Sequence, residues 1–246
     1  MIKFFRKIRY DLMEKNKTGK YLKYAMGEII LVVIGILIAL QLNNWNESRK
    51  EQNQLQTYYK QIIADFDEQK EYSRRIITAL DSSITSYENY KNIFETKNLT
   101  IDIIIDELNK LELISPYLSF RFNTMETLQS TGDIKIIPED LRNKLITHKS
   151  NLDSWTIVNN GNLEIYLNGL MKYSEKGIGG LTASLREQPE IKKAIRNEIK
   201  PIEAILAAES AFGVKFFTEY KTREFLKEVL KELETIKSLI NSELEK

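Results

Sequence analysis

The residue best suited to acid–base or metal chemistry is His148, the only histidine in the chain. Leu145, Leu152 and Trp155 lie near it at helical spacing and place the imidazole on an apolar face. Such a histidine usually belongs to a core, and a lone histidine holds a metal only together with carboxylates. We therefore expect His148 to be structural and leave a mixed histidine–carboxylate site open.

The other patterns that could carry chemistry are incomplete. The chain has no cysteine, which excludes disulfides, thiolate nucleophiles and zinc sites built on cysteine. Residues 176–180 read KGIGG, where the lysine precedes the glycines and no Gly-Lys-Ser/Thr follows, so we expect a connector and not a P-loop. The serines lack the Gly-x-Ser-x-Gly and Ser-x-x-Lys patterns of hydrolases. We expect no catalytic site, no metal and no bound cofactor.

Four carboxylates occur close together in one stretch without glycine or proline, at Asp65, Asp67, Glu68 and Glu71. Basic residues alternate with them, at Lys60, Lys70, Arg74 and Arg75. Opposite charges three or four residues apart on a helix stabilise each other in water. The pattern therefore predicts a solvated helix face and not an acid–base pair.

Tyrosines are unusually frequent in the same stretch, at Tyr58, Tyr59, Tyr72, Tyr87 and Tyr90. Rings of this kind either pack in a core or line a ligand groove or interface. We expect packing for most of them and leave the groove open.

One segment is apolar enough to enter a bilayer. Residues 29–40 read IILVVIGILIAL, and ten of the twelve are Ile, Leu or Val. These ten favour insertion by about 3–6 kcal/mol. Residues 24–42 contain a single charge, Glu28, and approach the roughly 20 residues that cross a bilayer. The sequence therefore predicts one transmembrane helix over residues 24–43.

The residues on either side of this segment predict whether it is cleaved and how it is oriented in the membrane. It begins after about 28 residues and no Ala-x-Ala-like cleavage site follows, which favours an uncleaved signal-anchor over a signal peptide. Residues 1–23 hold eight lysines and arginines against two acidic residues, a net charge of +6. Only Arg49, Lys50 and Lys60 follow within twenty residues of Leu42. The positive-inside rule then places the N-terminus in the cytoplasm and the body outside it.

Two sets of residues are candidate contacts of the anchor. Gly35 and Ala39 form a small-xxx-small pair, with Gly27 on a nearby face, and such residues let two membrane helices approach closely. Glu28 is either an interfacial carboxylate or a polar contact with a partner helix.

The basic arm, residues 1–23, is the other candidate. Its cations Lys3, Arg6, Lys7 and Arg9 alternate with Ile2, Phe5, Ile8 and Leu12 at helical spacing. This suits a helix lying on anionic lipid, and a plain topology signal is the equal alternative. The whole chain has a net charge of +1, so the residues after the arm carry a net charge of −5. Since a nucleic-acid partner requires a basic face on the folded part, we expect none.

The N-terminal stretch MIKFFRKIRYDLMEKNKTGKYLKYAMGEIILVVIGILIALQLNNWNE resembles the signature of a Bacteroidota family that carries a domain-of-unknown-function label. A second stretch, FNTMETLQSTGDIKIIPEDLRNKLITHKSNLD, is similar to the middle of that family. The resemblance is specific over residues 1–48 and 120–153. It implies a protein anchored in the inner membrane of a diderm bacterium, and it implies no activity.

Helical periodicity dominates residues 44–246, and we expect an all-α fold: a long helix continuing from the anchor, then an antiparallel bundle. An apolar seam marks the long helix at Leu55, Tyr59, Ile62, Phe66, Ile76, Leu80, Tyr87 and Phe94, interrupted at Gln69 and Ser73. Thr100 is placed to cap a short helix, Gly132 to end one over 119–130, and Pro138 to open the next. The last helices are predicted over 189–212, with a kink or split at Pro201, and over 215–245.

Three function classes remain. The first is a protein-interaction or scaffolding role in the cell envelope, with itself or another envelope protein as partner. The second is an extracytoplasmic ligand-sensing domain that signals through a partner. An enzyme is the third and is disfavoured by the single histidine and the absence of cysteine.

Overall fold

The computed structural model describes Tyr10 and residues 18–95, 98–176, 188–198 and 200–245. Two compact units are distinguished, Met1–Thr57 and Tyr58–Lys246. The predicted boundaries of the arm, the anchor and the body, after residues 23 and 43, remain predictions.

The fold is all-α, as predicted. Six α-helices are described: α1 (Thr18–Asn92), α2 (Ile101–Leu108), α3 (Asn123–Thr131), α4 (Glu139–Glu175), α5 (Pro189–Glu198) and α6 (Pro201–Leu244). Two short 3-10 helices lie at Ile93–Glu95 and Asp133–Ile136. The described residues contain no strand.

In the first unit, every side chain from residue 29 to residue 50 is exposed. The large apolar side chains of residues 29–40 are 47–65% exposed. Among the described residues, α1 is the one helix long and apolar enough to cross a membrane, and none of its apolar window is buried by protein. The prediction of a membrane-spanning helix is therefore confirmed at the level of length, composition and exposure.

In the second unit, α4 and α6 run antiparallel and make the most extensive contact between helices. His148 meets Glu232 near one end of this contact, and Gly169 meets Ala211 near the other. A Cβ atom at Gly169 would lie 2.7 Å from the Cβ of Ala211. Because real Cβ atoms do not approach so closely, only glycine permits this spacing of the two helices.

The part of α1 within the second unit packs antiparallel to α6, with Lys70 paired to Glu234 and Ser83 to Lys215. Five seam residues are buried, namely Tyr59, Ile62, Phe66, Ile76 and Leu80. Phe94 is 46% exposed because it lies in the 3-10 helix beyond the end of α1. The seam is therefore a bundle core through most of its length.

Local signals in the sequence fix several helix ends. The Thr100 side chain accepts a hydrogen bond from the backbone N–H of Ile103, which is the predicted cap of α2. Gly132 ends α3 with φ of 79°, a left-handed conformation that favours glycine. Pro138 directly precedes α4, which continues without a break through Gly161.

Two predicted boundaries are wrong. The helix expected from Ser119 begins only at Asn123, because side chains of other helices hold the preceding backbone in a non-helical path. No junction occurs near Gly213, since α6 is continuous from Pro201 to Leu244. The break between the last two helices lies instead at Pro201, which is the first residue of α6. Proline is favoured there because a backbone N–H at the first position of a helix has no partner within the helix.

Candidate functional site

A segment without helix, residues 112–122, connects α2 to α3, and we call it the connecting segment. The Asn160 side chain of α4 forms hydrogen bonds with both backbone groups of Leu118 in this segment. Its Oδ1 accepts from Leu118 N at 2.9 Å, and its Nδ2 donates to Leu118 O at 3.0 Å. The Tyr166 hydroxyl donates to Leu113 O at 2.8 Å. Side chains of α4 thus replace the backbone partners that a helix or sheet would supply.

Side chains of α1 hold the rest of the connecting segment. The Tyr72 hydroxyl accepts from Ser119 N at 2.9 Å, and Gln69 Nε2 donates to Arg121 O at 2.9 Å. Just beyond the segment, Asp65 Oδ2 accepts from Thr124 N at 2.8 Å, so a residue of α1 caps the first turn of α3. The path of the connecting segment is therefore set by residues far away in sequence.

A groove of about 470 Å³ opens between α1 and the connecting segment. It is lined by Glu68, Gln69, Glu71, Tyr72, Arg75, Ser119, Phe120 and Arg121. Tyr72 and Phe120 meet edge to face, with ring centroids 5.2 Å apart, and the Arg75 guanidinium lies 5.6 Å from the Tyr72 ring. The groove is within the size range of sites for small molecules.

The charges of the groove are mixed in sign. Within the described part of the chain, neither Arg75 nor Arg121 forms an ion pair. Among the described residues, Glu71 pairs with Arg74 alone, at 3.1 Å and in solvent. Two guanidinium groups and two carboxylates therefore line one half-open cavity together with two aromatic rings.

A buried polar network adjoins the groove through Gln69. His148 is completely buried, and its Nε2 lies 3.0 Å from Gln69 Oε1 while its Nδ1 lies 3.0 Å from Glu232 Oε2. The rings of Phe66 and Phe122 pack edge to face with the imidazole, with ring centroids 5.5 and 6.0 Å from its own. The histidine predicted to be structural is thus a core residue that links α1, α4 and α6.

The hydrogen bonds of Gln69 assign the proton on Nε2. Because the Gln69 amide donates to Arg121 O, its Oε1 is left to accept from His148, and Nε2 carries hydrogen. On the other side of the ring, Nδ1 lies within hydrogen-bond distance of the Glu232 carboxylate. The only histidine thus has both nitrogens occupied inside the bundle. Among the described residues, no group of three potential ligands could hold a metal.

Replacing His148 with leucine is expected to lower the free energy of unfolding by roughly 2–3 kcal/mol, because Gln69 Oε1 and Glu232 lose their buried partner. Denaturant titration of the full chain in detergent measures this, with exposed Ser150→Ala as a control expected within about 0.5 kcal/mol of the parent. A loss below about 1 kcal/mol for His148→Leu would contradict the importance of the network.

A second buried cluster, which sequence reasoning missed, centres on Lys215 and Glu219 of α6. Their side chains are 0% and 1% exposed, and the Lys215 ammonium lies 2.9 Å from Glu219 Oε1. Lys215 also donates to Ser83 Oγ at 2.6 Å, and Ser115 Oγ donates to Glu219 Oε1 at 2.7 Å. Glu219 Oε2 has no hydrogen-bond partner among the described residues. The only sequence signal for them is that both share a helix face with Phe212, at spacings of three and seven residues.

The tyrosines take both roles considered from sequence. Tyr72 lines the groove, whereas Tyr59 and Tyr90 are buried. Burial, and then the Glu243 carboxylate, raises the pKa of Tyr59 to about 12. Burial followed by a hydrogen bond to Glu209 raises the pKa of Tyr90 further. These hydroxyls stay protonated at neutral pH.

Tyr59→Phe is expected to leave stability at neutral pH unchanged or slightly higher, because the buried Tyr59 hydroxyl has no partner among the described residues. Tyr166→Phe, which removes the hydrogen bond to Leu113, should cost about 0.5–1.5 kcal/mol.

Unfolded tyrosine ionises near pH 10 and folded Tyr59 only near 12, so stability falls as pH rises through this window. Tyr59→Phe should therefore gain about 1 kcal/mol on the parent between pH 10 and 11. A constant difference across pH would contradict this assignment.

The predicted contacts of the anchor lie apart from the groove in the chain. A Cβ atom at Gly27 or Gly35 would meet nothing within 4 Å, and Ala39 is exposed. Glu28 is partly buried. The membrane-surface candidates of the basic arm, Lys3, Arg6, Lys7 and Arg9, lie outside the described residues.

The chain was compared with protein-family models, with curated protein sequences and with solved structures, and none of the three comparisons gave a match. The resemblance to the Bacteroidota family therefore remains a prediction.

Proposed function

We propose that this chain is a single-pass protein of the inner membrane, with its basic arm in the cytoplasm and residues 44–246 on the periplasmic side. The exposure of the apolar residues 29–40 supports the span, since water-facing apolar stretches of this size require a cover. The excess of lysine and arginine before the span supports the direction.

In this proposal the protein works by binding and not by catalysis, and its partner is an envelope protein or a second copy of itself. The observation that carries the proposal is the outer face of α4. There Ile157 and Ile165, 73% and 57% exposed, flank the exposed Gly161 at steps of four residues. A helix face of this kind lets another apolar surface approach closely.

Site-specific photocrosslinking in the native membrane tests this role. A benzophenone amino acid at Ile157 or Ile165 should give a discrete adduct, identified by mass spectrometry, while the same group at exposed Lys227 of α6 should give none. Two differently tagged copies separate self-association from a second protein. Equal adducts at all three positions, or none at Ile157 and Ile165, would contradict the interaction role.

Ligand sensing is the second candidate, and the groove between α1 and the connecting segment favours it. Tyr72 is both part of its lining and a hydrogen-bond partner of the connecting segment. A molecule bound there would touch two parts of the bundle at once. It would also raise the stability of the folded state, by an amount that grows with the logarithm of the ligand concentration above Kd.

A further inference from the structure

We propose that the groove binds a small zwitterion that carries an aromatic ring, of the class of the aromatic α-amino acids. The inference rests on the ligand-sensing proposal and adds the chemistry of the ligand. The groove brings together guanidinium groups, carboxylates and aromatic rings, and each matches one part of such a molecule.

The two guanidinium groups supply the carboxylate site. Arg75 projects from α1 and Arg121 from the connecting segment, so they belong to different walls of the groove. Neither pairs with a carboxylate among the described residues. A guanidinium presents a planar fork of N–H donors that fits a carboxylate.

The carboxylates of α1 supply the ammonium site and exclude simpler ligands. Glu68, Glu71 and Arg75 share one face of α1, and Glu71 and Arg75 are about 6 Å apart along the helix axis, so their side chains can reach the neighbouring ammonium and carboxylate groups of one α-amino acid. A plain anion in the groove would face these carboxylates, and a plain cation would face the guanidinium groups. A molecule that carries both charges satisfies both ends.

The rings of Tyr72 and Phe120 supply the apolar wall. Both are half-buried and meet edge to face. The Tyr72 hydroxyl is held from two sides, accepting from Ser119 N and donating to Tyr117 O at 3.3 Å. Its ring is therefore fixed before a ligand arrives, which lowers the entropic cost of stacking another ring on it.

Isothermal titration calorimetry of the full chain in lipid nanodiscs tests the proposal with matched probes. L-Phenylalanine carries both charges, 3-phenylpropanoate lacks the ammonium group, and phenethylamine lacks the carboxylate. L-Tyrosine and L-tryptophan extend the series. We expect at least one of the three amino acids to bind, with an affinity about tenfold or more above that of its singly charged analogue, because each lost charge leaves a groove charge unpaired.

Charge-neutral variants assign the two ends of the ligand. Arg75→Gln should reduce the advantage of the amino acid over phenethylamine, and Glu71→Gln should reduce its advantage over 3-phenylpropanoate. Lys231→Gln, at an exposed position of α6, is the control and should bind as the parent does. Circular dichroism and denaturant titration confirm that each variant is folded.

Two results would overturn the inference in distinguishable ways. If the singly charged analogues bind as tightly as the amino acid and Tyr72→Ala abolishes their binding, the groove is a ligand site but the zwitterion assignment is wrong. If none of the probes binds at concentrations up to about 10 mM, the aromatic-zwitterion inference is rejected, whereas the interaction role is tested separately by the crosslinking at Ile157 and Ile165.

Discussion

Replacing Lys215 with methionine is expected to lower the free energy of unfolding by about 3–5 kcal/mol, because it leaves the Glu219 carboxylate buried without its cation. Glu219 is 1% exposed and, within the described part of the chain, keeps only the hydroxyl of Ser115 as a partner. Denaturant titration followed by the fluorescence of Trp155, in a Trp45→Phe background, measures the change in the bundle alone.

The matched control replaces both charges. Because an apolar pair of similar volume carries no desolvation cost, the double variant Lys215→Met, Glu219→Leu should recover most of the stability lost by Lys215→Met. Additive losses in the double variant would show that the side chains act through packing and not through their charges.

Replacing Val33 and Ile36 together with arginine is expected to release the protein from the membrane. Each arginine near the middle of a membrane helix opposes insertion by about 2.5–3.5 kcal/mol, so two cancel the roughly 3–6 kcal/mol contributed by the apolar run. The fraction of protein left in the membrane pellet after alkaline carbonate extraction measures the effect.

Asn53→Arg with Gln56→Arg is the matched control, since these exposed positions lie on α1 at the same spacing but outside the apolar run. This control should stay in the pellet. If the Val33, Ile36 variant remains there as well, residues 29–40 do not anchor the chain.

Features encoded by neighbouring residues could be predicted from the sequence. The apolar run, the Thr100 cap and the left-handed Gly132 each depend on a few adjacent residues, and the structure has all three. The all-α class follows from periodicity in the same way. His148 was predicted to lie on a core face because Leu145 and Leu152 flank it at helical spacing, and it is buried.

The groove could not be predicted, because its walls meet only in the folded bundle. Asn160 lies 42 residues from Leu118, and Gln69 lies 52 residues from Arg121. Gln69 looked like a defect in the apolar seam, yet it is buried because both ends of its amide have partners. Opposite charges four residues apart on a helix usually face solvent, so the spacing of Lys215 and Glu219 gives little indication that they are buried.

Labelling of single cysteines tests most directly the central claim, a membrane anchor with the body outside the cytoplasm. The chain has no cysteine, so Ser150→Cys and Asn16→Cys each introduce one unique thiol. In intact spheroplasts, a membrane-impermeant maleimide should label Ser150→Cys at once and Asn16→Cys only after the membrane is permeabilised. Labelling of Asn16→Cys but not Ser150→Cys would reverse the orientation, and equal labelling of both without permeabilisation would contradict the membrane-spanning topology.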